Sequence, residues 1–345
     1  MSCYCPSYIQ RSVDLKGEVT TKFLGSVKNV LECNEVLRDK YRGEKSIDFI
    51  PRTYQNGMYH DFIQIPCGKC IGCRMDYSRS WADRMTYHSF GREECSYFLT
   101  LTYDDHNQDL NDYNAIYNIY SLNYDHMTDF IKRLRNRFRD YQIDYYYSGE
   151  YGDHSFRNHF HMIVYNLLIP DLCFYKLNNN GDPLYTSDII DSLWQKGFVV
   201  IGKFNWRSAA YTARYVEKKR DGRAMVEYSA LDLEPERCRC SRRPGISYDY
   251  YLDNYKDIWF NNGLLVPRIV NSNGRLGIPR YFRKLATDKG IGFEDFQEWQ
   301  RKSLEQQNII NPHNLNNSSF DLSNIDDMLK FEEKEILSRA FKRNF

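Results

Sequence analysis

The chain has 345 residues, 42% hydrophobic and 16% aromatic, with 29 Tyr, 20 Phe and 5 Trp; this much apolar and ring surface excludes a disordered chain and suffices for more than one domain. Mean hydropathy is −0.68, and no run approaches the ~20 apolar residues of a spanning helix, so no membrane partner is expected. The 47 Lys and Arg against 46 Asp and Glu leave a net charge of +1, which excludes a uniformly basic coat but permits local basic patches.

No G-x4-GK[ST] or G-x-G-x-x-G fingerprint is present, so no ATP motor is expected. The N-terminus MSCYCPSYIQ lacks the basic-then-apolar pattern of an export signal, which points to an intracellular protein. Ten cysteines in such a chain favour reduced thiols or a metal over a disulfide framework.

Seven of the ten lie in residues 1–95: Cys3, Cys5, Cys33, Cys67, Cys70, Cys73 and Cys95. Cys67, Cys70 and Cys73 stand at two-residue gaps in Gly-containing turns, a spacing that suits a structural Zn²⁺ or an iron–sulfur cluster. Cys3, Cys5 or His60 would complete a tetrahedral set, and three plain thiols are the alternative. Residues 78–90 predict a helix with Trp81, Met85 and His88 on one face.

From 96 the pattern alternates. Tyr97–Tyr103 predicts a strand, and Asp125–Arg139 a helix with Phe130, Leu134 and Phe138 on one face. Ile143–Tyr147 and Phe160–Leu168 predict two strands joined by the polar segment GEYGDHSFRN. A short helix follows at 187–195, capped by Ser187 and stopped at Gly197; then come a strand at 198–204 and a helix at 207–220. The order β-α-β-β-α-β is that of a ferredoxin-like split sheet in an α+β fold, with one face left free for ligand.

Further on, 237–251 predicts a basic loop entering an aromatic stretch, and 263–286 a Gly- and Pro-punctuated segment. A helix is expected at 294–307, an Asn- and Ser-rich linker at 308–319 and an amphipathic helix at 326–342. The expected organisation is a Cys-rich region (1–95), an α+β core (96–225), a basic and aromatic accessory region in contact with DNA (226–307), and a linker with a terminal helix (308–345).

Two groupings in the core carry chemistry. In His159-Phe160-His161, strand alternation projects both imidazoles from one surface and Phe160 from the other. Two neighbouring imidazoles suit a divalent metal, with a carboxylate as third ligand, and Glu150 ends the preceding strand. With eight His in the chain, two partly exposed strand histidines are the plain alternative.

In Tyr211-x3-Tyr215-x2-Lys218 the three side chains share a helical stripe. A tyrosine phenoxide can attack a phosphodiester, with Lys218 stabilising the charge. Arg207, Arg214, Lys219 and Arg220 surround them, and residues 203–223 hold seven basic residues against Glu217 and Asp221. A solvated basic helix would look the same. Lys132–Arg139 and Arg237–Arg243, the latter with Arg242 and Arg243, are further basic clusters that suit a path for single-stranded DNA.

Taken together, CGKCIGCRMDYSRSWADRM (67–85), YFLTLTYDD (97–105), SGEYGDHSFRNHFHMIVYN (148–166), GFVVIGKFNWRSAAYTARYVEKK (197–219) and SRRPGISYDYY (241–251) resemble the replication initiators of the Microviridae, of the gokushovirus type, within the HUH endonuclease superfamily. The resemblance implies an HUH-type antiparallel sheet with a ferredoxin- or RRM-like core flanked by helices. It implies Mg²⁺ or Mn²⁺ held by His159, His161 and a carboxylate, for which Glu150 is the candidate. It implies attack by Tyr211 or Tyr215 on a single-stranded phage origin, giving a 5′-phosphotyrosyl link and a 3′-OH that primes rolling-circle synthesis. A host helicase and host polymerase would be partners, in the bacterial cytoplasm. A non-catalytic, zinc-stabilised single-strand-binding module, or an HUH plasmid initiator or transposase, are the competing readings.

Overall fold

The computed structural model describes residues 7–14, 18–25, 29–30, 53–55, 58–68, 70–108, 113–114, 119–152, 156–215, 228–229, 231–265 and 275–303. The chain divides into two units, Met1–Asp76 with His313–Phe345, and Tyr77–Pro312. The expected linker at 308–319 and terminal helix at 326–342 lie outside the described residues.

In the first unit, β1 (Ser7–Asp14), β2 (Val19–Gly25), β3 (Thr53–Gln55) and β4 (Met58–Ile65) form an antiparallel sheet in the order β2-β1-β4-β3. The sequence pattern predicts no strands here. Polar residues crowd β1 (SYIQRSVD), and its pairing with β4, from Ser7↔Ile65 to Asp14↔Met58, bridges a separation that no local pattern reveals. Helix α1 (Ile71–Ser89) starts seven residues before the expected 78, so Cys73 lies in its first turn rather than in a free loop.

The second unit is built around seven antiparallel strands in the order β10-β11-β12-β5-β9-β8-β13. Along the chain come β5 (Tyr97–Thr102), a small ribbon of β6 (Tyr113–Asn114) and β7 (Ile119–Tyr120), α2 (Tyr124–Arg137), β8 (Asp144–Tyr151), β9 (Asn158–Tyr165), β10 (Cys173–Leu177), β11 (Pro183–Thr186), α3 (Asp188–Trp194), β12 (Val199–Lys203), α4 (Trp206–Tyr215) and β13 (Cys238–Cys240). They are followed by α5 (Tyr248–Phe260), a ribbon of β14 (Leu264–Leu265) and β15 (Arg275–Leu276), and α6 (Arg280–Lys289). The middle four strands, β12-β5-β9-β8, with α2 between β5 and β8 and α3 between β9 and β12, have the split β-α-β order expected.

Local chemistry sets these boundaries. Asn123 caps α2 by accepting from the Asp125 N–H, and Ser187 caps α3 by accepting from the Ile190 N–H at 3.1 Å. Helix α3 stops at Gln195, which adopts the left-handed conformation (φ 61), two residues before the expected stop. Gly197 serves the next turn instead: at φ 154, a Cβ there would collide with the Thr102 carbonyl. The β10–β11 hairpin is an element the sequence reading lacks, although NNNGDP is a turn signal; Asn178 Oδ1 accepts from the N–H groups of Asn180 and Asp182. The stretch 237–251, expected as a loop, supplies β13 and the start of α5. The segment 263–286 supplies the β14–β15 ribbon and most of α6. The chain is helical over 293–303, and 304–307 fall outside the described residues.

Both faces of the sheet are packed. On one, Leu99, Leu101, Phe160, Met162 and Val164 meet Met127, Phe130 and Leu134 of α2 and Ile190 and Trp194 of α3. On the other, Tyr146, Ile163 and Tyr165 meet Ala82 and Met85 of α1 and Ala209, Ala210 and Ala213 of α4. The expectation of a free face is therefore corrected: the three alanines bring α4 close, and the face is covered where those aromatics lie. A third cluster, with Tyr87, Tyr251, Trp259, Phe282 and Phe296, joins α1 to α5 and α6. Among the described residues no helix is long and apolar enough to cross a membrane.

Phe160 is fully buried, so Phe160→Ala should cost about 3–5 kcal/mol in denaturant unfolding; a loss below about 1 kcal/mol would mean that β9 does not face this core.

Candidate active site

Alternation along β9 sends Phe160 into the core and His159 and His161 to the opposite face. The register then completes the group: Glu150 of β8 lies directly across from His159, Ser148 across from His161, and Thr100 of β5 beside His161 on its other flank. The sequence-predicted Glu150, His159 and His161 thus converge. Glu150 Oε2 lies 3.3 Å from His159 Nε2 and 3.1 Å from His161 Nε2, and the two Nε2 atoms are 3.1 Å apart. The side chains are 4% (Glu150), 5% (His161) and 17% (His159) exposed, so His159 is the side open to ligand.

The outer ring nitrogens fix the inner ones. His159 Nδ1 is 3.0 Å from the Arg157 carbonyl, which only accepts, so Nδ1 carries the proton and the neutral ring turns its Nε2 lone pair inward. His161 Nδ1 is held at 3.2 Å by Thr100 Oγ1. Two ring nitrogens and a carboxylate oxygen therefore face one another, and Glu150 Oε2, though buried, makes no well-aligned hydrogen bond. Such a grouping calls for a cation at its centre. Three donors about 2.1 Å from one ion at right angles would stand about 3.0 Å apart, close to the separations found. Two imidazoles favour Mn²⁺ over Mg²⁺ as the occupant.

Electrostatics distinguishes the three groups. Burial would raise the Glu150 carboxyl, but the facing histidines hold it below the usual carboxylate range. Burial would lower His159, but Glu150 outweighs it and His159 binds its proton more tightly than an ordinary histidine. For the more deeply buried His161 desolvation wins, and its pKa falls.

Helix α4 brings Tyr211 to this group. Its ring stands edge-on to His161 with centroids 4.9 Å apart, and edge-on to Phe98 at 6.1 Å. Phe98 itself stacks on His161 (5.4 Å, 13°). Tyr215 continues the helix one turn on, with its backbone described; Lys218, Lys219 and Arg220 lie outside the described residues. Arg207 is exposed and Arg214 half-buried on α4. Arg242 and Arg243 are not at this site; they border a cavity at the start of β8.

Several supporting residues escaped the sequence reading. Thr100 and Phe98 were legible in the alternation of YFLTLT, which sends both to the histidine face. Gly149 was not: a Cβ there would meet Tyr124 Oη at 2.8 Å, so only glycine lets Tyr124 lie against the strand next to Glu150. Tyr124 Oη in turn accepts from the Arg237 N–H at 2.8 Å. Glu236 Oε1 accepts from the Tyr151 N–H at 2.8 Å, which sets a second carboxylate behind the site; its charge also favours protonated His159.

A second grouping lies in the first unit. The sulfurs of Cys67, Cys70 and Cys73 are within 4.8 Å of one another, with Cys67 and Cys73 at 3.9 Å. About 3.8 Å is the edge of a tetrahedron with 2.3 Å bonds. Gly68 at φ 74 turns the chain, and the Cys70 N–H donates to Cys67 Sγ at 3.3 Å, which favours thiolate. His60, an expected fourth ligand, is instead engaged through Nδ1 with Gln10 and Ser12 at 2.8 Å. Cys3 and Cys5 lie outside the described residues.

Added Mn²⁺ should raise the melting temperature of the protein, and Glu150→Gln or His161→Ala should abolish that rise; an undiminished rise in both variants would place the ion elsewhere. Since the ion needs a neutral His159, whose pKa lies above the ordinary histidine value, affinity should fall as pH drops through that raised value and recover above it. Calorimetric titration across pH reads this directly. In metal-free protein the same shift has the opposite sense, with stability from His159 present below the unfolded-state pKa and lost as pH rises through the folded one.

Residues 96–220 match a family model whose description is that of the ORF2-type replication-associated proteins. The chain is 34% identical over 253 residues to Replication-associated protein ORF2 of Spiroplasma virus 4, covering 70% of this chain and 75% of that protein. It is 30% identical over 219 residues to Replication-associated protein VP4 of Bdellovibrio phage phiMH2K (63% and 66%). Against Replication-associated protein ORF4 of Chlamydia phage 1 it is 33% identical over 249 residues (68% and 57%). No solved structure matches. The stretch matched by the family model holds the whole Glu150-His159-His161 group and Tyr211, and the chain belongs to the family of Microviridae-type phage replication initiation proteins.

Proposed function

We propose that the protein is a metal-dependent, site-specific endonuclease and strand transferase of the HUH type, acting on the single-stranded origin of a small phage to start and end rolling-circle replication. The observation that carries this reading is the placement of a tyrosine, Tyr211, 4.9 Å ring to ring from a histidine of a three-donor metal-ligating group.

His159, His161 and Glu150 would hold Mn²⁺ or Mg²⁺, which when bound supplies Lewis-acid polarisation of the scissile phosphate. Tyr211 Oη attacks phosphorus in line with the bond to the 3′ oxygen. That bond breaks as the tyrosyl oxygen bond forms, the phenolic proton leaves, and the departing 3′ oxygen takes up a proton. The products are a 5′-phosphotyrosine and a free 3′-OH. One phosphate ester replaces another, so the bond energy is kept and a 3′-OH can later reverse the step to close a circle. Tyr215, one helical turn away, would serve the second cleavage. Lys218 would stabilise phosphate charge, and Arg207, Arg214, Lys219 and Arg220 would hold flanking phosphates. Strand opening and synthesis fall to a host helicase and polymerase in the bacterial cytoplasm.

With an origin-bearing single-stranded circle and Mn²⁺, a protein–DNA adduct resistant to denaturation should form. Tyr211→Phe and Tyr215→Phe together should reduce it by about 10³-fold or more. An adduct that persists in the double variant, or in the presence of EDTA, would overturn the assignment.

A further inference from the structure

Two basic clusters far apart in sequence meet in one cavity. The end of α2 and the loop after it contribute Arg135 and Arg139, while β13 and the loop after it contribute Arg239, Arg242 and Arg243; together they border a cavity of about 920 Å³. Against five guanidiniums stands the single carboxylate of Asp144, which faces His88 at 3.4 Å. Among the described residues, none of the five arginines has a carboxylate within ion-pairing distance, although the protein forms such pairs elsewhere, as at Arg157–Asp105 and Arg237–Glu234. All five are exposed. A chain with a net charge of +1 thus concentrates unpaired positive charge at one place, and like charges gathered without counter-charges imply an anionic ligand.

The frame is rigid. The Ser241 N–H donates to the Tyr145 carbonyl at 2.9 Å, and Ser241 Oγ accepts from the Tyr145 N–H at 3.1 Å, so the strand pairing continues to the edge of Arg242. Arg135 donates to the Ile143 carbonyl at 3.0 Å and lies over the Tyr145 ring at 5.5 Å. Two aromatic rings, Tyr141 and Tyr145, line the same cavity, and Tyr141 is 38% exposed. Guanidiniums for phosphates beside rings for bases are the chemistry of single-stranded nucleic acid. The cavity opens at the first residues of β8, and Glu150 is six residues along that strand, about 20 Å away.

We infer that this arginine-lined cavity is a second DNA-binding site, which grips the backbone of a single strand at a distance from the metal-ligating group. The inference rests on the proposed function only in taking the strand to be the substrate. A grip there would fix which stretch of the origin reaches Tyr211 without touching the scissile phosphate.

The test uses the full-length protein in EDTA, so that cleavage does not intervene, with fluorescently labelled oligo-dT of about 16 nucleotides titrated by anisotropy at several salt concentrations. Arg139→Ala, Arg242→Ala and Arg243→Ala combined should weaken binding by roughly tenfold or more and flatten the plot of log affinity against log salt by about 2. The corresponding Lys triple variant should keep the slope, and an Arg→Gln triple variant replaces the Ala one if that fails to fold. Unchanged affinity and slope in the neutral variant would overturn the inference. So would tighter binding of a blunt duplex, or of polyglutamate, than of oligo-dT. Adduct formation on the same preparations separates the two readings. Lost binding without any adduct from the unmodified protein leaves this site standing and removes the nuclease; an adduct with unaltered binding does the reverse.

Discussion

Three atoms that repel one another are held together where water hardly reaches. Glu150 Oε2 and the Nε2 atoms of His159 and His161 sit 3.1–3.3 Å apart, and nothing in their own chemistry favours that proximity unless a proton or a cation lies between them. The scaffold enforces it. Phe160 is anchored in the core between the two histidines, the β8–β9 ladder sets Glu150 opposite His159, and Arg157 and Thr100 hold the outer nitrogens. The fold thus fixes the donor geometry in advance, so an arriving ion has little to reorganise.

The tyrosines sort themselves by the same logic. Many of the 29 are structural and are pushed by burial toward the neutral phenol: Tyr147 and Tyr151 rise to about 12, and Tyr146 and Tyr165 go well above their ordinary value. Several also spend their hydroxyl on a carbonyl, as Tyr165 does on Met85 and Tyr151 on Glu234. The recurrent i, i+4 tyrosine pairs in the sequence are therefore mostly core packing. Tyr211 differs by position, being half-buried and edge-on to a histidine of the metal-ligating group.

How much of this was legible in the sequence depends on the range of the interaction. Alternation in His159-Phe160-His161, the Ser187 cap and the stripe Phe130, Leu134, Phe138 are local, and each correctly predicted its element. The same alternation also implied Thr100, had it been followed across to the neighbouring strand. Strand β13 is three residues long and exists because β8 accepts it about ninety residues earlier in the chain; β1 and β4 likewise depend on distant partners. The covered face was illegible for a similar reason. Ala209, Ala210 and Ala213 read as ordinary helix formers, and only the packed structure makes them a close-approach surface. Glu150 was found because a short connection carried it to His159, so proximity in sequence stood in for proximity in space.

The arrangement of β13 and α1 bears on what a minimal working fragment would be. The stretch recognised by the family model, 96–220, ends before β13 and begins after α1. Cut to those limits, the chain would leave β8 with a bare edge of unpaired amides and carbonyls, and would expose the ring surface of Tyr146 and Tyr165 that Ala82 and Met85 cover. An open edge beside bare aromatics is a template for aggregation. The evolutionary unit and the folding unit are therefore different lengths of the same chain. The segment that carries the chemistry borrows its solubility from sequence on both sides.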